Sequence, residues 1–191
     1  MSRYKTIDLS NVKTYPIAER LSKVEHRVFA APVPRGSAFR AFWNSLPDVL
    51  AVKELREFVS HVNSARARQP IIWMLGAHPL KVGLSPILIE LLRAGYISCV
   101  ASHGAFSVHD CEIALFGKTS EDVADTLRDG RFGMARETGE FYARAVEEAE
   151  RKGLGLGEAL GESLVRENAP HASNSLLVQC LSANVPVTIH V

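Results

Sequence analysis

At 191 residues, with 47% hydrophobic and 23% charged residues and a formal net charge of +1, the chain has the length and balance of a soluble globular domain, which excludes a disordered segment. That charge leaves no overall basic field for a nucleic-acid backbone, and the cations of "SARARQP" form a short cluster, so nucleic acid is set aside as a partner. No apolar run reaches the ~18 residues of a spanning helix, and "MSRYKTIDLSNVK" carries no signal-peptide pattern, so no membrane and a cytoplasmic location are expected.

The first 70 residues read as a helical arm with no convincing strand. After Thr14, taken as an N-cap, Ile17, Leu21, Val24 and Val28 recur at helical spacing, as do Val52, Leu55, Val59 and Val62 after Asp48. "APVPRGS" breaks the chain between them, and Pro70 disfavours helix at Gln69 and ends the arm. Each of these helices has one apolar face to bury against something else.

From residue 71 the pattern changes to βα units. "IIWML" is a continuous apolar run, as expected for a strand covered on both faces. "SPILIELLRAG" follows as a helix with Ser85 as N-cap, Pro86 at the first helical position and Gly95 just past its end. "YISCVA" is a second strand, and "SVHDCEIALFG" a helix starting near Ser107 and stopping at Gly117. "TSEDVADTLRDG" reads as a helix capped by Thr119 or Ser120. In "GMARETGEFYARAVEEAERKG", Met134, Thr138, Phe141, Ala145 and Ala149 line one face, with Glu140/Arg144 and Glu147/Arg151 paired on the other. Helices over 157–168 and 173–183 and a strand "VPVTIHV" follow. Three strands are fewer than the usual ~4–6 of a sheet, so the chain is expected either to continue beyond Val191 or to borrow an edge from another subunit.

Cys99, Cys111 and Cys180 are an odd number without CxxC spacing and read as small core residues. The glycines of "KGLGLGEALG" superficially suggest a dinucleotide fingerprint, but a charged helix and not a strand precedes them, so the stretch reads as an interhelical linker. The strand ends are the better candidates. Gly76 and Gly83 bracket "AHPLKV", Gly104 follows the second strand, and Lys81 supplies a positive charge. Two readings stay open there: a phosphate or ribose approached closely by backbone amides, or turns in which glycine only satisfies backbone geometry. His78, His103, His109 with Asp110, and His190 fall at or near the carboxyl ends of strands. Their spacing matches no metal motif, so no metal is expected, and His109 with Asp110 is read as a pair for proton transfer or as a helix cap.

The stretches "GAHPLKVGLSP" and "ASHGAFSVHDCEIAL" resemble deoxyhypusine synthase and its bacterial synthase-like relatives. In that family a "TSN...SSGL" turn leads into a helix and a second strand ends in "TTAGGVEED"; from Gly83-Leu84 to Asp110 the spacing matches without a gap. The resemblance covers residues 71–117, and "FGMARETGEF" points to the bacterial branch. It implies a Rossmann-like NAD-binding fold and a homotetramer. It sets Ala77, His78 and Lys81 at one NAD contact and His103, Gly104 and Ala105 at another. The family's two adjacent glutamates fall on Val108 and His109, and only the next acid, Asp110, is kept. A desolvated amine needs a carboxylate partner, which counts against spermidine as the substrate. The lysine of the family's imine chemistry would lie beyond Val191.

The expectation is therefore an α/β protein: an arm over 1–70 and a Rossmann-like parallel-sheet domain over 71–191. The resemblance implies an NAD-dependent transferase acting on a small amine or alcohol. NAD would be held by Gly76, Ala77, His78, Lys81, Gly83, His103, Gly104 and Ala105, with His109 and Asp110 catalytic. The alternatives are a metal-dependent hydrolase using the strand-end histidines and a non-catalytic binding subunit. A homo-oligomer is expected, with "SAFRAFW" as the leading contact.

Overall fold

The computed structural model describes residues 10–22 and 24–190. Most of the stretch scanned for a signal peptide, and Val191 at the end of the expected strand "VPVTIHV", lie outside the described residues. The chain divides into two compact units, Met1–Val59 and Ser60–Val191.

In the first unit the helix expected after Thr14 is absent. Two single 3-10 turns, Ile17–Glu19 and His26–Val28, stand there instead, and neither has a capping side chain. Pro16 holds extended backbone at the entry, and Leu21 is 97% exposed. A short helix that buries no apolar face has too little to offset the cost of nucleation. The helix expected after Asp48 does form, as α2 (Leu50–Arg66), preceded by α1 (Phe39–Ser45). Arg56 joins the two: its guanidinium lies 5.4 Å from the Trp43 ring centroid and donates to the carbonyls of Trp43 at 2.8 Å and Leu46 at 3.2 Å. Among the described residues of this unit none is buried.

The second unit is α/β, with a small parallel sheet. Its elements are β1 (Ile72–Met74), α3 (His78–Lys81), α4 (Ser85–Arg93), β2 (Cys99–His103), α5 (Gly104–Phe116), α6 (Val123–Thr126), α7 (Arg136–Lys152), α8 (Leu156–Arg166), α9 (Leu176–Ser182) and β3 (Val187–His190). The strands lie in the order β1-β2-β3, in parallel register, with Trp73 beside Val100 and Val100 beside Val187. Because side chains alternate along a strand, Trp73, Leu75, Val100, Val187 and Ile189 face one side. There they join the single core cluster with Phe106, Phe141, Leu160 and Leu177. The other side carries Ile72, 60% exposed, and Met74, 83% exposed, together with Ala101, His103, Thr188 and His190. "IIWML" is thus covered on one face only, which corrects the expectation of a strand buried on both.

Several boundaries differ from the sequence reading for local reasons. Ser85 is the first residue of α4 and not its cap, and its buried Oγ has no partner. α5 begins at Gly104, directly after β2, and closes on a left-handed Gly117 as expected. α6 is capped by Asp122, whose carboxylate accepts from the Asp125 amide at 3.1 Å, not by Thr119 or Ser120. On α7, Arg144 pairs with Glu167 at 2.9 Å and Arg151 with Glu148 at 2.7 Å, in place of the expected i,i+4 partners. Among the described residues no helix is long and apolar enough to cross a membrane.

Two contacts hold the helical layer in place. Asp110, fully buried on α5, accepts hydrogen bonds from Ser175 Oγ at 2.5 Å and from the amides of Leu176 at 2.8 Å and Leu177 at 3.0 Å, so one carboxylate closes the amino end of α9. The second is the approach of α8 to β3. A Cβ on Gly157 would stand 2.1 Å from the Val187 carbonyl oxygen, and one on Gly161 would stand 3.3 Å from that of Leu177. Only Gly153, the left-handed end of α7, and its neighbours to Gly155 act as the expected linker.

Gly157→Ala gains up to ~1 kcal/mol in helix propensity but must push α8 off the strand, an overpacking cost of about 2–3 kcal/mol. A lower urea midpoint is therefore expected. Asp110→Ala strands two buried amides and is expected to cost about 3 kcal/mol, with Asp110→Asn, which keeps one acceptor, costing less. Burial pushes the Asp110 carboxyl up to about 6 from 3.8, against the hydrogen bonds of Ser175, Leu176 and Leu177. The folded chain therefore holds that proton more tightly than the unfolded one. The resulting stability is full below the unfolded value and lost as pH rises through about 6, roughly 3 kcal/mol in all. Urea titrations across this window should show the loss in the natural chain and not in Asp110→Asn.

Candidate functional site

The three strands end together, and the chain is pinned at that point. Leu75 N–H donates to the Ala101 carbonyl at 3.1 Å, and the Ser102 hydroxyl donates to the Leu75 carbonyl. These bonds fix the exit of β1, so Gly76 lies beside the end of β2. Leu80, 1% exposed, roots the single turn of α3 in the core and leaves His78 and Lys81 exposed. A cleft of about 560 Å3 opens at the strand ends, lined by Met74, Leu75, Gly76, Ala101, Ser102, His103 and His190. His103 and His190 are neighbours in the β2–β3 register, and His190 Nε2 lies 3.0 Å from Thr188 Oγ1.

The two glycines that bracket the first turn prove different in kind. Gly83 has φ +80, a left-handed conformation that explains glycine by backbone geometry alone. Gly76 has no such φ, and a Cβ there would meet only His103 Nε2, at 3.6 Å. What its missing side chain provides is room beside an imidazole. Gly104 and Ala105 form the first turn of α5, whose leading amides lack intrahelical carbonyl partners and carry the positive end of the helix dipole.

The remaining sequence-predicted residues part company one turn later. Asp110 faces inward to α9, while His109 faces outward into a polar chain: His109 Nδ1 lies 2.6 Å from Thr119 Oγ1, which donates to Glu112 Oε2 at 2.5 Å, and Thr138 donates to Glu112 Oε1 at 3.1 Å. Glu112, Thr119 and Thr138 also line a second cleft of about 440 Å3 with Phe116, Lys118, Ser120, Glu121 and Glu137. Sequence reasoning missed Glu112, Thr119 and Thr138. Glu112 was findable as the i+3 neighbour of His109, whereas the two threonines come from separate elements and left no signal. Also missed was Tyr142, which donates to Ser107 Oγ at 2.5 Å; burial, above all, pushes its phenol well above the ordinary range. A third cleft, lined by Gly155, Gly157, Leu181, Asn184 and Val187, lies beside the start of β3, away from these groups.

Among the described residues no three His, Cys, Asp or Glu side chains are grouped as metal ligands. Cys111 and Cys180 are free and buried, and burial pushes the Cys180 thiol up to about 12.

No family model and no curated protein matches the chain. Similar solved structures include the apo form of ArgZ, an arginine dihydrolase from the ornithine-ammonia cycle in cyanobacteria. It has 17% identity and a TM-score of 0.47, over 74% of this chain and 18% of that one. A second is a conserved putative LOR/SDH protein from Methanococcus maripaludis S2, with 15% identity and a TM-score of 0.44, over 93% of this chain and 46% of that one. The chain thus spans less than half the length of either. Neither is a deoxyhypusine synthase, and the resemblance to that family is corrected accordingly, together with the transferase activity inferred from it. A shared strand–turn–helix spacing is a property of many parallel α/β folds and does not by itself specify a family.

Tyr142→Phe is expected to abolish the latest-titrating component of an alkaline absorbance titration and to cost about 1 kcal/mol in urea unfolding.

Proposed function

We propose that the strand-end cleft is a nucleotide site of Rossmann-like kind, with NAD as its cofactor. The observation that carries this reading is Gly76, whose lack of a side chain is not required by its backbone and leaves space against His103 Nε2. Open parallel sheets bind ligands outside the carboxyl ends of their strands, and all three strands end at this cleft. Its floor of Met74 and Ala101 is apolar and suits the face of a base. His103 and His190 offer ring nitrogens to ribose hydroxyls, and the first turn of α5 offers amides and dipole to a phosphate. Lys81, exposed on α3, supplies the nearby positive charge.

Isothermal calorimetry with NAD tests this reading. Saturable binding is expected at up to millimolar ligand, weakened at least tenfold by Gly76→Val with the urea midpoint unchanged. Absence of binding, or equal affinity in the variant, overturns it.

A further inference from the structure

We infer that His109 is a proton-accepting base whose tautomer is fixed by a hydroxyl-bridged carboxylate, and that it serves a ligand hydroxyl or bound water. Thr119 has a single hydroxyl proton and gives it to Glu112 Oε2 at 2.5 Å. Toward His109, 2.6 Å away, Thr119 can then only accept, so the imidazole hydrogen sits on Nδ1. Nε2 keeps its lone pair and has no hydrogen-bond partner among the described residues. Thr138 holds the far oxygen of Glu112 at 3.1 Å, so the carboxylate that orients the chain is itself oriented. Glu112, Thr119 and Thr138 are positioning residues in this assignment, and His109 Nε2 is the free acceptor.

Burial and two charges bear on the ring. Burial lowers the His109 pKa from 6.5, Glu112 on the same helix raises it, and Lys81 from α3 lowers it again. The net direction is downward, so the imidazole is neutral at neutral pH and Nε2 is free to accept a proton. Helical side chains tilt toward the helix amino end, which leans His109 over Ala105, one turn earlier and next to the end of β2. In the transfer, the ligand O–H bond breaks as an Nε2–H bond forms, and the imidazolium charge is met by Glu112 through Thr119. The inference rests on the strand-end reading only for where the ligand lies.

Imidazole nitrogen–proton correlation spectra of the full chain test it without any ligand, with His109 assigned by its loss in His109→Gln. Neutral His109 is expected as the Nδ1–H tautomer, with a pKa below the ordinary histidine value. Thr119→Val should move the tautomer ratio about tenfold toward Nε2–H, the loss of one hydrogen bond, and Thr119→Ser should restore it. Glu112→Gln should lower the pKa further and Lys81→Met should raise it. A dominant Nε2–H tautomer in the natural chain, or a ratio indifferent to Thr119→Val, overturns the assignment. Either result is independent of whether NAD binds.

Discussion

A buried carboxylate has to be satisfied on every side, and in this protein that requirement organises the second unit. Asp110 is fully enclosed, and its two oxygens accept the Ser175 hydroxyl and the first amides of α9. Desolvating a carboxyl is costly, and the cost is offset only if α5 and α9 keep one relative placement. That placement sets the rotation of α5 about its axis. Phe106, Ser107, Cys111 and Ala114 then turn inward with Asp110, and His109 and Glu112 turn outward. The polar chain to Thr119 and Thr138 is thus a consequence of where the buried acid points.

Glycine plays three distinct parts along the same chain. At Gly83, Gly95, Gly117 and Gly153 it supplies positive φ where a turn or helix end needs it. At Gly157 it lets a helix rest on the backbone of β3, with no room for a methyl group. Gly76 fits neither description, and it stands at the strand-end cleft beside His103.

The sheet is one-sided. Its helical layer buries Val100 completely, while Ile72 and Met74 on the opposite side remain open, unlike parallel sheets with helices on both faces. The strand-end cleft lies on this open side, and His103 and His190 share its face with Met74, Ala101 and Thr188. A ligand there would rest on an apolar floor and meet polar groups along one rim only, which suits a molecule with a flat apolar part and a polar part.

Much of the second unit was legible in the sequence. The three strands, α4, α5, α7, α8 and α9 follow from apolar periodicity and from Gly95, Gly117 and Gly153, because those signals act over a few residues and need no distant partner. The strand-end position of Gly76 and His103 was legible for the same reason. Tertiary structure alone decided the remainder. Ile17, Leu21, Val24 and Val28 have helical spacing but no surface to bury them, so the helix does not form. Asp110 and His109 are adjacent in sequence, yet a helix turns consecutive side chains about 100° apart, and packing made one a buried anchor and the other an outward imidazole. Thr119 and Thr138 became partners of Glu112 across 7 and 26 residues. A hydrogen bond of that kind depends on where three elements converge, and no local pattern encodes it.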